Sequence, residues 1–273
     1  MRAGDFMFAT NLANTMDWNM APEDFKYMTM LEPQGCFVAF DGSEPIGIAT
    51  CISFGEVGWF GNLIVKEKYR NKGVGSLLVK HSLNYLQSKG VETIGLYAYP
   101  NLVNFYSNLG FKYDEDFSVL NTEKLKFQTV RTPLKNGILK IKAIEKFDRH
   151  CFVGDRKKLL ESIILEKGNL CSYESRDNEI VGYVAATVYE KMAWLGPLVC
   201  PAGYIEVASS LVKSVLGNIE HLSVYVALPK KEAALMSVFF DAGFKEDFFV
   251  SRMFLGPVVT KNCIYMAESL ERG

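Results

Sequence analysis

The chain repeats itself, and that constrains its fold more than any other feature. Ile46-Gly47 matches Val181-Gly182, and Trp59-Phe60-Gly61-Asn62-Leu63 matches Trp194-Leu195-Gly196-Pro197-Leu198, both at an offset of 135 residues. Ala98-Tyr99-Pro100 matches Ala227-Leu228-Pro229 at 129, and Gly110-Phe111-Lys112 matches Gly243-Phe244-Lys245 at 133. Four blocks in one order, with small length changes between them, are what a diverged duplication leaves. At 273 residues there is room for two such units. We expect them at 1–128 and 129–273, joined through the polar stretch 121–136 with Pro133 and the turn pair Asn136-Gly137.

Within the first copy, residues 36–40 and 46–54 are short runs rich in β-formers, and Asp41-Gly42 between them signals a hairpin turn. Residues 57–65 read as a third, buried strand. Leu77, Leu78, Leu83 and Leu86 recur at helical spacing over 75–87, and Gly90 follows as a stop. A strand is expected over 93–99 and a short helix over 101–109 ended by Gly110. Upstream, 22–31 reads as a helix with Glu23 and Asp24 in its first turn. This order predicts an α/β (α+β) layer built on a mixed, mostly antiparallel sheet flanked by helices.

The stretch from Val65 through Arg70, Asn71, Lys72, Gly73, Val74, Gly75 and Ser76 lies between a buried strand and a helix. Glycines here let the backbone approach a ligand, and the first amides of a helix have no intrahelical partner. With Arg70 and Lys72 beside them, they read as a pyrophosphate cradle at a helix N-terminus. A glycine-rich helix start with solvated basic residues would look the same. No GxxxxGK[ST] occurs, and Leu78 stands where a dinucleotide fingerprint needs its third glycine.

The run Val65-x-x-x-Tyr69-Arg70-x-x-Gly73-x-Gly75 resembles motif A of the GCN5-related N-acetyltransferase (GNAT) superfamily. Asn104-Phe105-Tyr106-Ser107-Asn108-Leu109-Gly110-Phe111 resembles that family's second motif, in the expected order. Trp18-Asn19, Pro22-Glu23-Asp24-Phe25, Gly58-Trp59 and Leu96-Tyr97-Ala98-Tyr99-Pro100 are similar to the tandem, YitH-like group, in which a degenerate acetyltransferase-like domain follows the first. The resemblance implies two tandem acyl-CoA N-acyltransferase folds and an acetyl-CoA-dependent transfer to an amine. It implies that backbone groups of Leu63, Ile64 and Val65 bind pantetheine and the acetyl carbonyl, and that Asn71 to Ser76 bind pyrophosphate with Arg70 close by. It also implies that Tyr106 protonates the departing thiolate, for which a phenol is suited. The family often has an asparagine where Tyr99 stands; Asn101 lies nearby, as a helix cap or a pantetheine contact. Relatives in the tandem group commonly read L-D-A-T-P at 96–100, so Tyr97 and Tyr99 bear on acceptor choice.

In the second copy the loop has decayed. Ile205, Glu206 and Val207 replace Arg70, Asn71 and Lys72, Ala208 and Ser210 replace the glycines, and Phe239 replaces Tyr106. An anion would meet a carboxylate there. Its expected work is to wall the acceptor pocket, with Tyr183, Tyr189, Trp194 and Arg252 as candidate linings. Glu56, at the start of the third strand, is the candidate base for the amine, ahead of Glu32 and Asp24, while the three histidines are given no role.

The formal charge of −1 argues against nucleic acid or an anionic membrane as partner. Six scattered cysteines without a CxxC pair argue against a zinc site and fit a reduced, cytoplasmic protein; no metal is expected. No signal peptide or apolar run of spanning length is read. The expected partner is a small-molecule amine acceptor. The alternatives are an acetyl-CoA-binding sensor without catalysis and transfer of a longer acyl group.

Overall fold

The computed structural model describes residues 1–126, 134–135, 137–257 and 262–273. The junction between the copies, with Pro133 and Asn136, lies outside these. The first copy runs α1 (Phe6–Asn14), α2 (Pro22–Leu31), β1 (Cys36–Asp41), β2 (Glu44–Phe54), β3 (Val57–Val65), α3 (Val74–Ser88), β4 (Thr93–Ala98), α4 (Val103–Ser107) and β5 (Lys112–Thr122). The second runs α5 (Ile141–Phe152), α6 (Lys157–Ile164), β6 (Leu170–Arg176), β7 (Glu179–Val188), β8 (Met192–Pro201), α7 (Ile205–Leu216), β9 (Ser223–Pro229), α8 (Ala233–Asp241), β10 (Lys245–Leu255) and β11 (Cys263–Met266). Element by element, β1–β5 correspond to β6–β10, and α3 and α4 to α7 and α8.

The copies share one sheet. Its order is β1-β2-β3-β4-β10-β5-β9-β8-β7-β6, with β11 added on β8. The fifth strand of each copy, β5 and β10, has crossed over. β10 pairs with β4 of the first copy, β5 pairs with β9 of the second, and the two crossed strands pair with each other. Apolar residues of both strands, among them Phe117, Val119, Val250 and Met253, are buried at the junction. Each such side chain contributes about 1.5–3 kcal/mol relative to exposure. The copies therefore complete one another's cores.

Two faces of the sheet serve different ends. On one face of the first copy, α3 and α4 cover Phe60, Ile94, Leu96 and Ala98. On the other, Trp59, Tyr97 and Phe254 pack with residues of α5 and α6, while Ile48 and Ile64 meet α1 and α2. Buried Arg156 of the second copy holds Asp148 through two hydrogen bonds of 2.6 and 3.1 Å and also donates to Tyr265 and Tyr183. Glu32, at the end of α2, accepts from Lys158, Tyr85 and the Ser53 amide, tying α6 to the first copy. Among the described residues no helix is long and apolar enough to cross a membrane.

Candidate active site

Strands β3 and β4 are parallel partners only at Val57–Thr93, Gly58–Ile94 and Trp59–Gly95. Beyond Trp59 they diverge, and the edge of β3 facing β4 has no ladder partner among the described residues. The cause lies on the opposite edge. Between Ile48–Ile64 and Thr50–Gly61 the register with β2 slips. Asn62 takes up the extra residue with φ of 50°, a left-handed conformation that asparagine tolerates, and its side chain donates to Thr50 at 3.1 Å. Leu63, Ile64 and Val65 follow this bulge on the opened edge.

The chain then turns through residues 66–73 into α3. Asn71 and Gly73 adopt φ of 60° and 84°, and the first helical bond runs from the Leu77 amide to the Gly73 carbonyl at 3.0 Å. The amides of Asn71, Lys72, Gly73, Val74, Gly75 and Ser76 have no hydrogen-bond partner among the described residues. Such a row at a helix N-terminus is an anion site. A Cβ on Gly73 would meet nothing within 4 Å, so the loop is open on that side. Arg70 Nε donates to the Val65 carbonyl at 3.0 Å, fixing the end of β3. Lys72 is exposed, 5.6 Å from the Tyr69 ring centre. Lys66, Lys68 and Tyr69 converge on Glu44, which holds that carboxyl down at about 2.

Tyr106 lies in α4 with its ring 6.3 Å from Phe60 and 5.9 Å from Phe111. Its hydroxyl has no hydrogen bond among the described residues, and burial raises its pKa. The phenol therefore stays protonated at neutral pH. Asn101 is exposed in a 3-10 turn, Pro100–Leu102, and caps neither that turn nor α4. The capping role expected for it is corrected, because the helix begins two residues later. Tyr99 instead accepts from the Trp18 indole at 3.1 Å, and Tyr97 stacks 5.1 Å from Trp59.

Glu56 and Glu32 lie away from the opened edge of β3, whereas Asp24 stands near the final segment of the chain. Glu56 is exposed in the turn that opens β3, seven residues before Leu63, or roughly 20 Å along an extended strand. Its backbone carbonyl accepts the Glu92 and Thr93 amides, which fastens the paired end of the two strands. Glu32 is occupied as described, and Asp24 accepts from the Ala21 amide at the start of α2. Of the second-copy candidates, Tyr183 belongs to the Asp148–Arg156 network and Trp194 donates to the Ala267 carbonyl. Tyr189 is exposed. Arg252 does line a pocket, with Val57, Trp59, Phe254, Glu115 and Lys231, and it pairs with Asp114 and Glu115.

The second copy repeats the divergence, since β8 and β9 pair only from Met192–Ser223 to Trp194–Tyr225. There the gap is filled. β11 pairs with β8 at Leu198, Val199, Cys200 and Pro201, the counterparts of Leu63 to Lys66, and the Ala202 amide bonds to Asn262. Past β11 the chain crosses both copies. A Cβ on Gly196 would lie 2.0 Å from the Ala267 carbonyl oxygen, and one on Gly61 would lie 2.6 Å from the Glu271 Cα. The course of this final segment is not legible in the local sequence pattern. The signal available was the glycine kept at the same place in both copies.

Residues 7–111 match the profile described as Acetyltransferase (GNAT) family, and residues 144–265 match that described as Acetyltransferase (GNAT) domain. An uncharacterised N-acetyltransferase, ycf52, of Gracilaria tenuistipitata var. liui is 33% identical over 64 residues, 23% of this chain and 34% of that protein. The match thus spans about a third of that relative's length. Among solved structures, a protein of Pyrococcus horikoshii assigned as an acetyltransferase superposes with a TM-score of 0.79 at 19% identity, covering 100% of this chain and 94% of that one. A GCN5-related N-acetyltransferase from Sphaerobacter thermophilus gives 0.67 at 13%, covering 96% of each chain. A tandem GNAT protein from the clavulanic acid biosynthesis pathway gives 0.60 at 13%, covering 94% of this chain and 96% of that one. These likenesses show the fold. With a family match in each half and a tandem architecture, the chain belongs to the GNAT family of acetyltransferases.

Proposed function

We propose that this chain is an acetyl-CoA-dependent N-acetyltransferase with one cofactor site, in its first copy, acting on the amine of a small molecule. The observation that carries this reading is the row of six unpartnered amides, Asn71 to Ser76, at the end of a strand edge left open by the Asn62 bulge. The amides suit a pyrophosphate, and the opened backbone at Leu63, Ile64 and Val65 suits pantetheine and a thioester carbonyl. Bound there, acetyl-CoA supplies an activated acetyl group. The residues of this chain hold it in place, polarise its carbonyl from β3 and offer the Tyr106 proton to the departing sulfur.

The acceptor enters from the face opposite α3 and α4, because those helices close the other. Trp59 faces that side, and its buried indole N–H has no hydrogen-bond partner among the described residues. An acceptor with a hydrogen-bond-accepting group beside its amine would satisfy it. The second copy takes no cofactor, since β11 fills the corresponding gap; it supplies Arg252 and the final segment to the acceptor side.

Thiol release with acetyl-CoA and a panel of amines tests the reading. Turnover on at least one amine is expected, with Tyr106→Phe reducing kcat by about 100-fold or more at unchanged acetyl-CoA affinity. Tight acetyl-CoA binding without turnover on any amine would favour a sensor.

A further inference from the structure

Transfer to an amine that is cationic at neutral pH needs a proton acceptor; Glu56 lies at the paired end of β3, Glu32 is bonded to Lys158, Tyr85 and the Ser53 amide, and Asp24, although near Glu271, is engaged by the Ala21 amide at the start of α2. What reaches the site is the segment after β11. Glu271 lies across Gly61, the residue before the Asn62 bulge, and its carbonyl oxygen is 3.0 Å from where a Gly61 Cβ would stand. Leu63 is two residues on, roughly 7 Å along the strand and within reach of a glutamate side chain plus a substrate nitrogen. The segment is held firmly. Arg272 bonds Glu268 at 2.9 and 3.1 Å, lies 3.7 Å from the Met28 sulfur and stacks 5.1 Å over Tyr27 of α2. Gly273 packs on the Trp59 ring.

We propose that Glu271, delivered by the second copy to the first copy's site, takes the proton from the acceptor ammonium, so that the substrate is a primary amine bound as its cation. This rests on the acetyltransferase reading. Glu268 does not fill the role, because both its oxygens are committed to Arg272 and its side chain is 2% exposed. Glu271 engages Arg272 through Oε1 alone at 2.6 Å and keeps 21% of its side chain exposed.

Burial raises the Glu271 carboxyl above its ordinary value; Arg272 and a hydrogen bond from its own backbone amide oppose this, while Glu268 and Asp24 add to it. Tyr27 of α2 and Tyr189 of the turn between β7 and β8 also face it. A carboxylate moved toward neutral pH is better matched to taking a proton from an amine. In the step, the ammonium gives one proton to Glu271, and the neutral nitrogen forms the C–N bond to the acetyl carbon as the C–S bond breaks. The sulfur takes the Tyr106 proton, and the second proton shed by nitrogen restores the phenol through water. The products are the acetamide and the CoA thiol, and the proton on Glu271 passes to solvent.

The full-length chain would be assayed with acetyl-CoA and spermidine, glucosamine and L-lysine as probes. The wild type should show a kcat that rises with pH through one group titrating above the ordinary carboxylate value. Glu271→Gln should lose that limb and at least about 100-fold in kcat, with acetyl-CoA affinity within twofold. Glu271→Asp should keep the limb at a reduced rate, which a merely structural carboxylate would not do. Wild-type kcat and an intact limb in Glu271→Gln would overturn the assignment, as would a wild type without the limb should that variant fail to fold. Failure of the wild type to bind acetyl-CoA, or to turn over any probe, would overturn the transferase reading and this role with it.

Discussion

Phe117 and Val250 stand opposite each other in the β5–β10 ladder, and they are the same position of the repeat. The offset of 133 that relates Gly110 to Gly243 relates these two as well. The two copies are thus joined about a pseudo-two-fold axis through this pair, each having given its fifth strand to the other. A chain ending at residue 126 would keep β5 but lose its partners β9 and β10, leaving β4 with an open edge. Such a fragment is expected to lack a cooperative melt as a monomer, or to pair with a second fragment. Sedimentation and calorimetry of the 1–126 fragment check this; a monomer with a sharp transition would contradict it.

How much of this was legible follows from where the information lies. Elements set by local pattern were readable: residues 22–31 and 57–65 fall where α2 and β3 lie, and the Asp41-Gly42 turn joins β1 to β2. The repeat made the second copy readable too. Strand exchange was not, because the apolar residues of β5 would suit either neighbour, and which edge it pairs with depends on residues more than a hundred positions away. The same holds for the site. The cradle is encoded in a contiguous run around Gly73, whereas Glu271 acquires its place only because two distant glycines leave room for the chain to cross. Glu56 is near β3 in sequence but stands at the end of the strand that pairs with β4, away from the open end.

Gly61→Ala tests that crossing. The added methyl would sit 2.6 Å from the Glu271 Cα, and backbone cannot rotate away as a side-chain tip could. A loss of about 1–3 kcal/mol in stability is expected, with faster hydrogen exchange over residues 267–273 than in the wild type. Unchanged exchange there would show that the segment does not lie on β3.

Replacing Arg156 with Met should destabilise the chain by about 3–5 kcal/mol, measured by denaturant unfolding, because Asp148 would be left charged and fully buried without its partner. Removing both charges together, with Asp148→Asn as the second change, should restore part of that loss.

The Glu32 cluster predicts an acid-side effect. Burial alone would raise this carboxyl, but bonds from Lys158, Tyr85 and the Ser53 amide outweigh it and hold the pKa below its usual 4.5. A group lowered on folding adds stability above its unfolded pKa and loses it as pH falls through the folded value. Glu32→Gln should therefore cost about 1–3 kcal/mol near pH 7, and the difference from wild type should shrink below pH 4.5. Parallel stability curves from pH 7 down to acid unfolding would contradict this.

One cofactor site per chain is proposed, at the amides of Asn71 to Ser76. Calorimetric titration with acetyl-CoA tests it most directly, on the wild type and on Gly73→Glu. Gly73 faces open space, so the glutamate fits and adds only the strain of a left-handed backbone, about 1 kcal/mol, while placing a carboxylate among the amides proposed to hold the pyrophosphate. The expected result is one molecule bound per chain in the wild type and no measurable binding in the folded variant. Two molecules per chain, or unchanged affinity in the variant, would contradict it.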